Sequence, residues 1–185
     1  MNLRLLLLAG LALAAAPPAF GDGTATSTIT ITGSAAQACH LGAASNSTLN
    51  VGTLANLADG TLAPVADRST TIDGSWCNTA STLSIIAQPL VAQHYSGSPP
   101  AGFTKAVNYT AAASGWTSPS ASFTTTGDRS GGGNGTTPGT ADSADPVAQQ
   151  ISVTVSTFAT PSAGDRLVAD AEYSGQITVT LAVKP

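Results

Sequence analysis

The sequence predicts an all-β fold, a sandwich of short strands in a single domain. Three observations carry this. Residues 151–157 alternate Ile151, Val153 and Val155 against Ser152, Thr154 and Ser156, and residues 176–183 set Ile177, Val179, Leu181 and Val183 on one side. Side chains alternate across a strand, so each segment reads as a strand with one buried face. No segment after the first twenty or so residues keeps a helical period over three turns. Nineteen glycines and eleven prolines punctuate the chain at short intervals, as suits many strands joined by turns.

The elements follow in chain order. Arg4 supplies a positive charge ahead of an apolar run over residues 5–16. Pro17-Pro18 breaks a helix, and Ala19-Phe20-Gly21 sets small residues at the cleavage positions before Asp22. Residues 1–21 therefore read as a secretory signal peptide, too short for a membrane span. The exported chain then runs 164 residues, from Asp22 to Pro185, enough for one domain with a real core.

Residues 22–34 read as an N-terminal extension. Over residues 24–33 one face is all threonine, and the other runs Ala25, Ser27, Ile29, Ile31, Gly33. As a strand it has one wet face and one insertable face. The sandwich domain spans residues 35–185. Residues 35–44 carry Cys39 on a weak strand pattern, and residues 48–53 read as a short strand. Residues 69–77 alternate Thr71, Asp73, Ser75 and Cys77 against Thr70, Ile72, Gly74 and Trp76. Residues 81–88 are apolar and β-branched, residues 103–113 hold Ala106-Val107-Asn108-Tyr109-Thr110, and residues 121–126 are a further short candidate. Residues 127–146 are rich in glycine and poor in hydrophobes, so they read as a long mobile loop between strands that cannot bury enough surface to order itself.

Charge and cysteine content narrow the function classes. Losing Arg4 with the leader leaves five basic and ten acidic residues, a net charge of −5. There is no basic cluster to meet a nucleic acid or an anionic membrane. Charged residues are 9% of the chain, so most polar surface is Thr, Ser, Asn and Gln. Two cysteines in an exported chain, Cys39 and Cys77, read as one disulfide. An oxidising compartment disfavours free thiols, and a metal pair would need more ligands. In the chain-entropy model this loop closure stabilises the fold by on the order of 4 kcal/mol.

Nothing in the sequence spells out catalysis. His40 follows a cysteine that reads as bonded, and His94 lies in a turn-rich stretch. The acids are scattered, and Glu172 is the sole glutamate, so no facing carboxylate pair of a glycosidase stands out. Asp142 and Asp145 follow no EF-hand pattern. Gly131-Gly132-Gly133 lacks the Lys-Ser/Thr and helix of a phosphate loop. No enzyme, cofactor or metal is expected. Trp76, on the strand reaching Cys77, reads as core or edge packing. Trp116, in Ser114-Gly115-Trp116-Thr117, reads as the candidate contact surface.

Taken together, the extension ending Ile31-Thr32-Gly33, Cys39 six residues later, Leu49-Asn50-Val51-Gly52, Ser75-Trp76-Cys77, Leu83-Ser84-Ile85-Ile86 and the closing run from Ala171 to Leu181 form a pattern. It resembles the bacterial spore coat protein U domain proteins and the wider chaperone–usher pilins. The resemblance implies a bonded Cys39–Cys77 pair and an incomplete immunoglobulin-like sandwich. A neighbouring subunit's extension would complete that sandwich after a periplasmic chaperone has capped it, with an outer-membrane usher as assembly partner. Ile29 and Ile31 would then enter pockets, and Gly33 would allow close backbone approach. The expected function is an exported structural subunit of a surface fibre, pilus or coat, passing through the periplasm to the cell surface. The alternative is a secreted stand-alone carbohydrate-binding or adhesive module, holding a glycan through Trp116.

Overall fold

The computed structural model describes residues 26–185. The signal-peptide reading of residues 1–21, and residues 22–25 of the extension, lie outside the described residues. The chain divides into two units, Met1–Ser34 and Ala35–Pro185. In the first, residues 26–34 form no strand, and Ile29 and Ile31 are 84% and 92% exposed. Gly33 has open space where a Cβ would stand.

The second unit is all-β, with no helix among the described residues. Its strands are β1 (Cys39–His40), β2 (Ala43–Ala44), β3 (Arg68–Cys77), β4 (Ser81–Ala87), β5 (Leu90–Ala92), β6 (Phe103–Thr104), β7 (Ala106–Ser114), β8 (Ala121–Thr124), β9 (Gly139–Ser143), β10 (Val147–Ala159), β11 (Arg166–Leu167), β12 (Tyr173–Ser174) and β13 (Ile177–Val183). One sheet runs β1-β3-β10-β7-β5-β12, with β2 also on β3 and β8 also on β7. The other runs β13-β4-β9. Every pairing in both is antiparallel; β6 and β11 form a separate parallel pair.

Alternation on the strands supplies the core between the sheets. Leu83 and Ile85 of β4, Ala111 and Ala113 of β7, and Ile151 of β10 are fully buried in one cluster. Cys39 and Cys77 are bonded and are direct register partners of β1 and β3. Two strands change sheets together. β4 continues through Gln88-Pro89 into β5, and β12 continues through Gly175-Gln176 into β13. At that corner a Cβ on Gly175 would stand 2.7 Å from the carbonyl oxygens of both Gln88 and Pro89. Glycine lets the two backbones meet there, and the Gln88 N–H donates to the Gln176 carbonyl at 2.7 Å.

Three sequence expectations are corrected. Residues 48–53 are not a strand; Asn50 Oδ1 accepts the Gly52 N–H at 2.8 Å, and Gly52 takes φ 81°, so the chain turns while Leu49 and Val51 pack on the core. Residues 127–146 are not a long structureless loop, since β9 lies within them and pairs with β4. Side-chain caps replace the missing hydrophobes: Asp128 Oδ1 accepts from the Ser130 and Gly132 N–H groups, and Asn134 Nδ2 donates to the Ala87 carbonyl. Arg129 grips Asp165 with two bonds, 2.6 and 2.8 Å. Gly139 lets β9 lie against β8, where a Cβ would stand 1.8 Å from the Ser122 carbonyl oxygen.

The third correction concerns Trp116, which is 4% exposed and belongs to the core rather than to a contact surface. Gly115, at φ 89°, turns the chain after β7 and swings the indole inward. Its Nε1–H donates to Ser81 Oγ at 3.1 Å, which satisfies the ring's one polar atom and makes burial favourable.

Candidate functional site

One feature of the domain that could act on another molecule is a groove of about 1280 Å³ between the two sheets, with an apolar floor. It arises because the sandwich is unequally closed. On one side β8 and β9 bring the sheets together. On the other, β13 is the last strand of its sheet, with β4 as its only sheet partner among the described residues.

The inward rows of the two paired strands show the consequence. On β4, Ser81, Leu83, Ile85 and Ala87 are buried, and on β13, Ile177, Val179, Leu181 and Val183 are only half-buried. The periods are identical and the strands are in register. The difference is that β4 has a sheet partner on both sides and β13 on one, with Ile177 and Val179 opening to the groove.

The floor comes from the facing sheet: Ile72 of β3, Tyr109 of β7, and Val153 and Val155 of β10. One irregularity shapes it. The register of β10 on β7 slips between Ser156 and Ala159, and Thr157 sits at φ 55°. A β-branched residue in the left-handed region is strained by roughly 1–3 kcal/mol. The slip breaks the alternation, so Thr157 points out and Phe158 packs inward beside Tyr109, ring centroids 5.8 Å apart. Sequence alternation alone ended this strand at Thr157 and missed Phe158. Burial pushes the Tyr109 hydroxyl up to about 12, so it stays neutral and the floor carries no charge.

The walls are loops with built-in anchors. Residues 46–57 form one side. The segment leading into β12 forms an end and is held by Asp170, whose side chain has no solvent exposure. The carboxylate accepts the N–H groups of His94 (2.7 Å), Tyr95 (2.8 Å) and Glu172 (2.9 Å), and His94 Nδ1 lies at 2.9 Å. These bonds, led by the Glu172 N–H, hold the carboxyl far below its usual range. The same ion pair raises the pKa of His94. Tyr173 donates its hydroxyl to the Val168 carbonyl at 2.8 Å and completes the wall.

Such a groove offers apolar surface and one strand edge of backbone N–H and C=O groups. It is suited to an extended apolar segment, which would add ladder bonds along the edge and place alternate side chains below. The Asp170–His94 pair is spent on anchoring backbone. Among the described residues no three of His, Cys, Asp and Glu gather in a group that could hold a metal ion. Asp142, one of the acids weighed for calcium, bonds Thr82 Oγ1 and Lys184 Nζ instead, each at 2.6 Å.

The residues singled out in the sequence fall in different places. Cys39 and Cys77 close the β1–β3 edge. Ile29, Ile31 and Gly33 lie in the first unit, exposed. The groove itself was not legible, and its nearest sequence signal is the apolar row of residues 177–183. In comparisons with known proteins, no family model matches this chain, and no curated protein or solved structure matches it.

Proposed function

We propose that this chain is an exported structural subunit of a bacterial surface fibre, pilus or coat, assembling by donor-strand complementation. The single observation that carries the reading is the half-buried row Ile177, Val179, Leu181 and Val183 on the last strand of its sheet, with Ile177 and Val179 lining a groove whose floor is apolar. The domain is then an incomplete immunoglobulin-like sandwich, and the extension of a second copy supplies the missing strand. Its support is complementarity. The groove has an apolar floor, and Ile29 and Ile31 are large apolar side chains on one face of a segment that leaves them exposed. Inserting that face would bury both isoleucines, about 1.5–3 kcal/mol each, and pair the open edge of β13. A periplasmic chaperone capping the groove before assembly, and an outer-membrane usher, are the partners this route requires.

The test is assembly of the exported chain in the periplasm. Intact protein should give an oligomer ladder that survives mild denaturant. Ile29→Asp with Ile31→Asp must push two charges into apolar pockets, at several kcal/mol. That variant, and one lacking residues 22–33, should remain folded by circular dichroism yet give no ladder. A deletion variant that misfolds even with a chaperone supplied, beside an intact protein that is a stable monomer, would overturn the reading. The extension would then be an ordinary first strand of its own sandwich.

A further inference from the structure

The groove uses the inner face of the large sheet, and the outer face carries a feature that assembly leaves unexplained. We propose that this outer face holds a sugar-binding platform built on Trp76 and His40. Trp76 follows the buried Ser75 on β3 and so points away from the core; it is 41% exposed, where the other tryptophan, Trp116, is 4% exposed. His40 on β1 is its direct cross-strand partner. The two rings are stacked, with centroids 6.2 Å apart and planes 29° from parallel. His40 therefore backs one face of the indole, and the face turned away from it is the surface left for a ligand.

The surroundings leave that surface uncovered. On the other side of Trp76 the register partner is Ala148 of β10, and two residues earlier on β3 stands Gly74. These are the two smallest residue types, and neither can lie over an indole. Just beyond them the face turns polar. Gln150 of β10 donates its amide to the carboxylate of Asp73, which holds that carboxylate as a fixed acceptor. Both residues sit where the register of β10 on β3 slips between Gln149 and Ile151, directly beside the Trp76–Ala148 pair.

This layout matches one ligand chemistry. A pyranose has a face of C–H groups and a rim of hydroxyls. The C–H face stacks on an aromatic ring, and the rim donates to a carboxylate and bonds to an amide. With Asp73 as the charged group on the platform, a neutral sugar fits better than an anionic one. The proposal is independent of donor-strand assembly, since it uses the opposite face of the sheet.

The test is titration of the full exported chain with three neutral probes, triacetylchitotriose, cellotriose and maltotriose. Indole N–H signals in ¹⁵N-labelled protein separate Trp76 from the buried Trp116. At least one probe should move the Trp76 signal saturably by about 10 mM, an affinity in the millimolar range, with Trp116 unmoved. Trp76→Ala should abolish the response, Trp76→Phe should retain a weaker one, and His40→Ala should weaken it several-fold. No saturable shift with any of the three probes, or binding unchanged in Trp76→Ala, would overturn the proposal. A Trp76→Ala variant that only melts earlier, from a parent without sugar response, would show the pair to be cross-strand packing and would overturn it equally.

Discussion

Leu83 and Leu181 are direct register partners across β4 and β13, yet Leu83 is fully buried and Leu181 is half-buried. The pair measures how far the sandwich is closed. Leu83 has β13 on one side and β9 on the other, whereas the strand of Leu181 has β4 as its only sheet partner among the described residues.

The two leucines should therefore differ in cost when truncated. In the isolated subunit Leu83→Ala should destabilise by about 3–4 kcal/mol, within the range for filled cores. Leu181→Ala should cost about 1–2 kcal/mol, because less of its surface leaves water on folding. If a strand fills the groove, the cost of Leu181→Ala should rise toward that of Leu83→Ala in assembled material. Urea midpoints of monomer and oligomer compare the four values. Equal costs in the monomer would show that β13 is already fully covered.

The glycine-rich stretch should resist shortening. Replacing residues 128–143 by a short turn removes β9 and bares the edge of β4, so cooperative unfolding should be lost. A milder change is Arg129→Ala, which leaves the Asp165 carboxylate, 4% exposed, without its bidentate partner. Removing one member of such a pair destabilises, and the melting temperature should fall by on the order of 5 °C, with Arg129→Lys between. Limited proteolysis gives a second measure: cleavage within residues 128–134 should not precede global unfolding.

Acid should release the wall of the groove. The folded Asp170 carboxyl is depressed below its ordinary 3.8, so its contribution is complete above that value and is lost as pH falls below it toward the folded pKa. His94 is shifted the other way, upward from 6.5. Its smaller contribution is complete below 6.5 and fades as pH rises through the raised value. Amide exchange over residues 168–176 should thus quicken below pH 3.8 and, more weakly, above neutrality. Asp170→Asn should flatten both limbs and raise exchange at every pH between them.

Reduction should cost on the order of 4 kcal/mol, from the entropy of a loop of 38 residues between Cys39 and Cys77. Cys39→Ala with Cys77→Ala should match the reduced protein in its urea midpoint. Since β1 has only two residues on the edge of β3, their amides should lose exchange protection first.

The β-strands of the core were legible because they obey a local rule. Ile151, Val153 and Val155 alternate in the sequence and are buried in the structure. Residues 81–88 were legible as an apolar, β-branched run, and Leu83, Ile85 and Ala87 are the ones buried. The missed elements obey no such rule. β9 is Gly139-Thr140-Ala141-Asp142-Ser143, with no large apolar residue to mark a buried face; β4 and the cap residues hold it. Phe158 was hidden by a bulge that reverses the alternation at Thr157. The burial of Trp116 was missed for a similar reason. Trp116 stands among turn residues that suggest surface, but Ser81, thirty-five positions away, supplies its hydrogen bond and a place in the core.

From the sequence alone came the strand period, the pairing of Cys39 with Cys77 and the two-faced character of residues 24–33. Each follows from the covalent alternation of side chains or from the number of thiols in an oxidising compartment. The tertiary structure alone decided that residues 177–183 have a sheet partner on one side only and that a groove lies beneath Ile177 and Val179. The physical reason is that alternation records which face of a strand is apolar and carries no record of how many strands lie beside it. Along residues 81–87 and 177–183 every second residue faces inward, and their burial differs because β4 is hydrogen-bonded to a strand on each side, whereas β13 has β4 as its only sheet partner among the described residues.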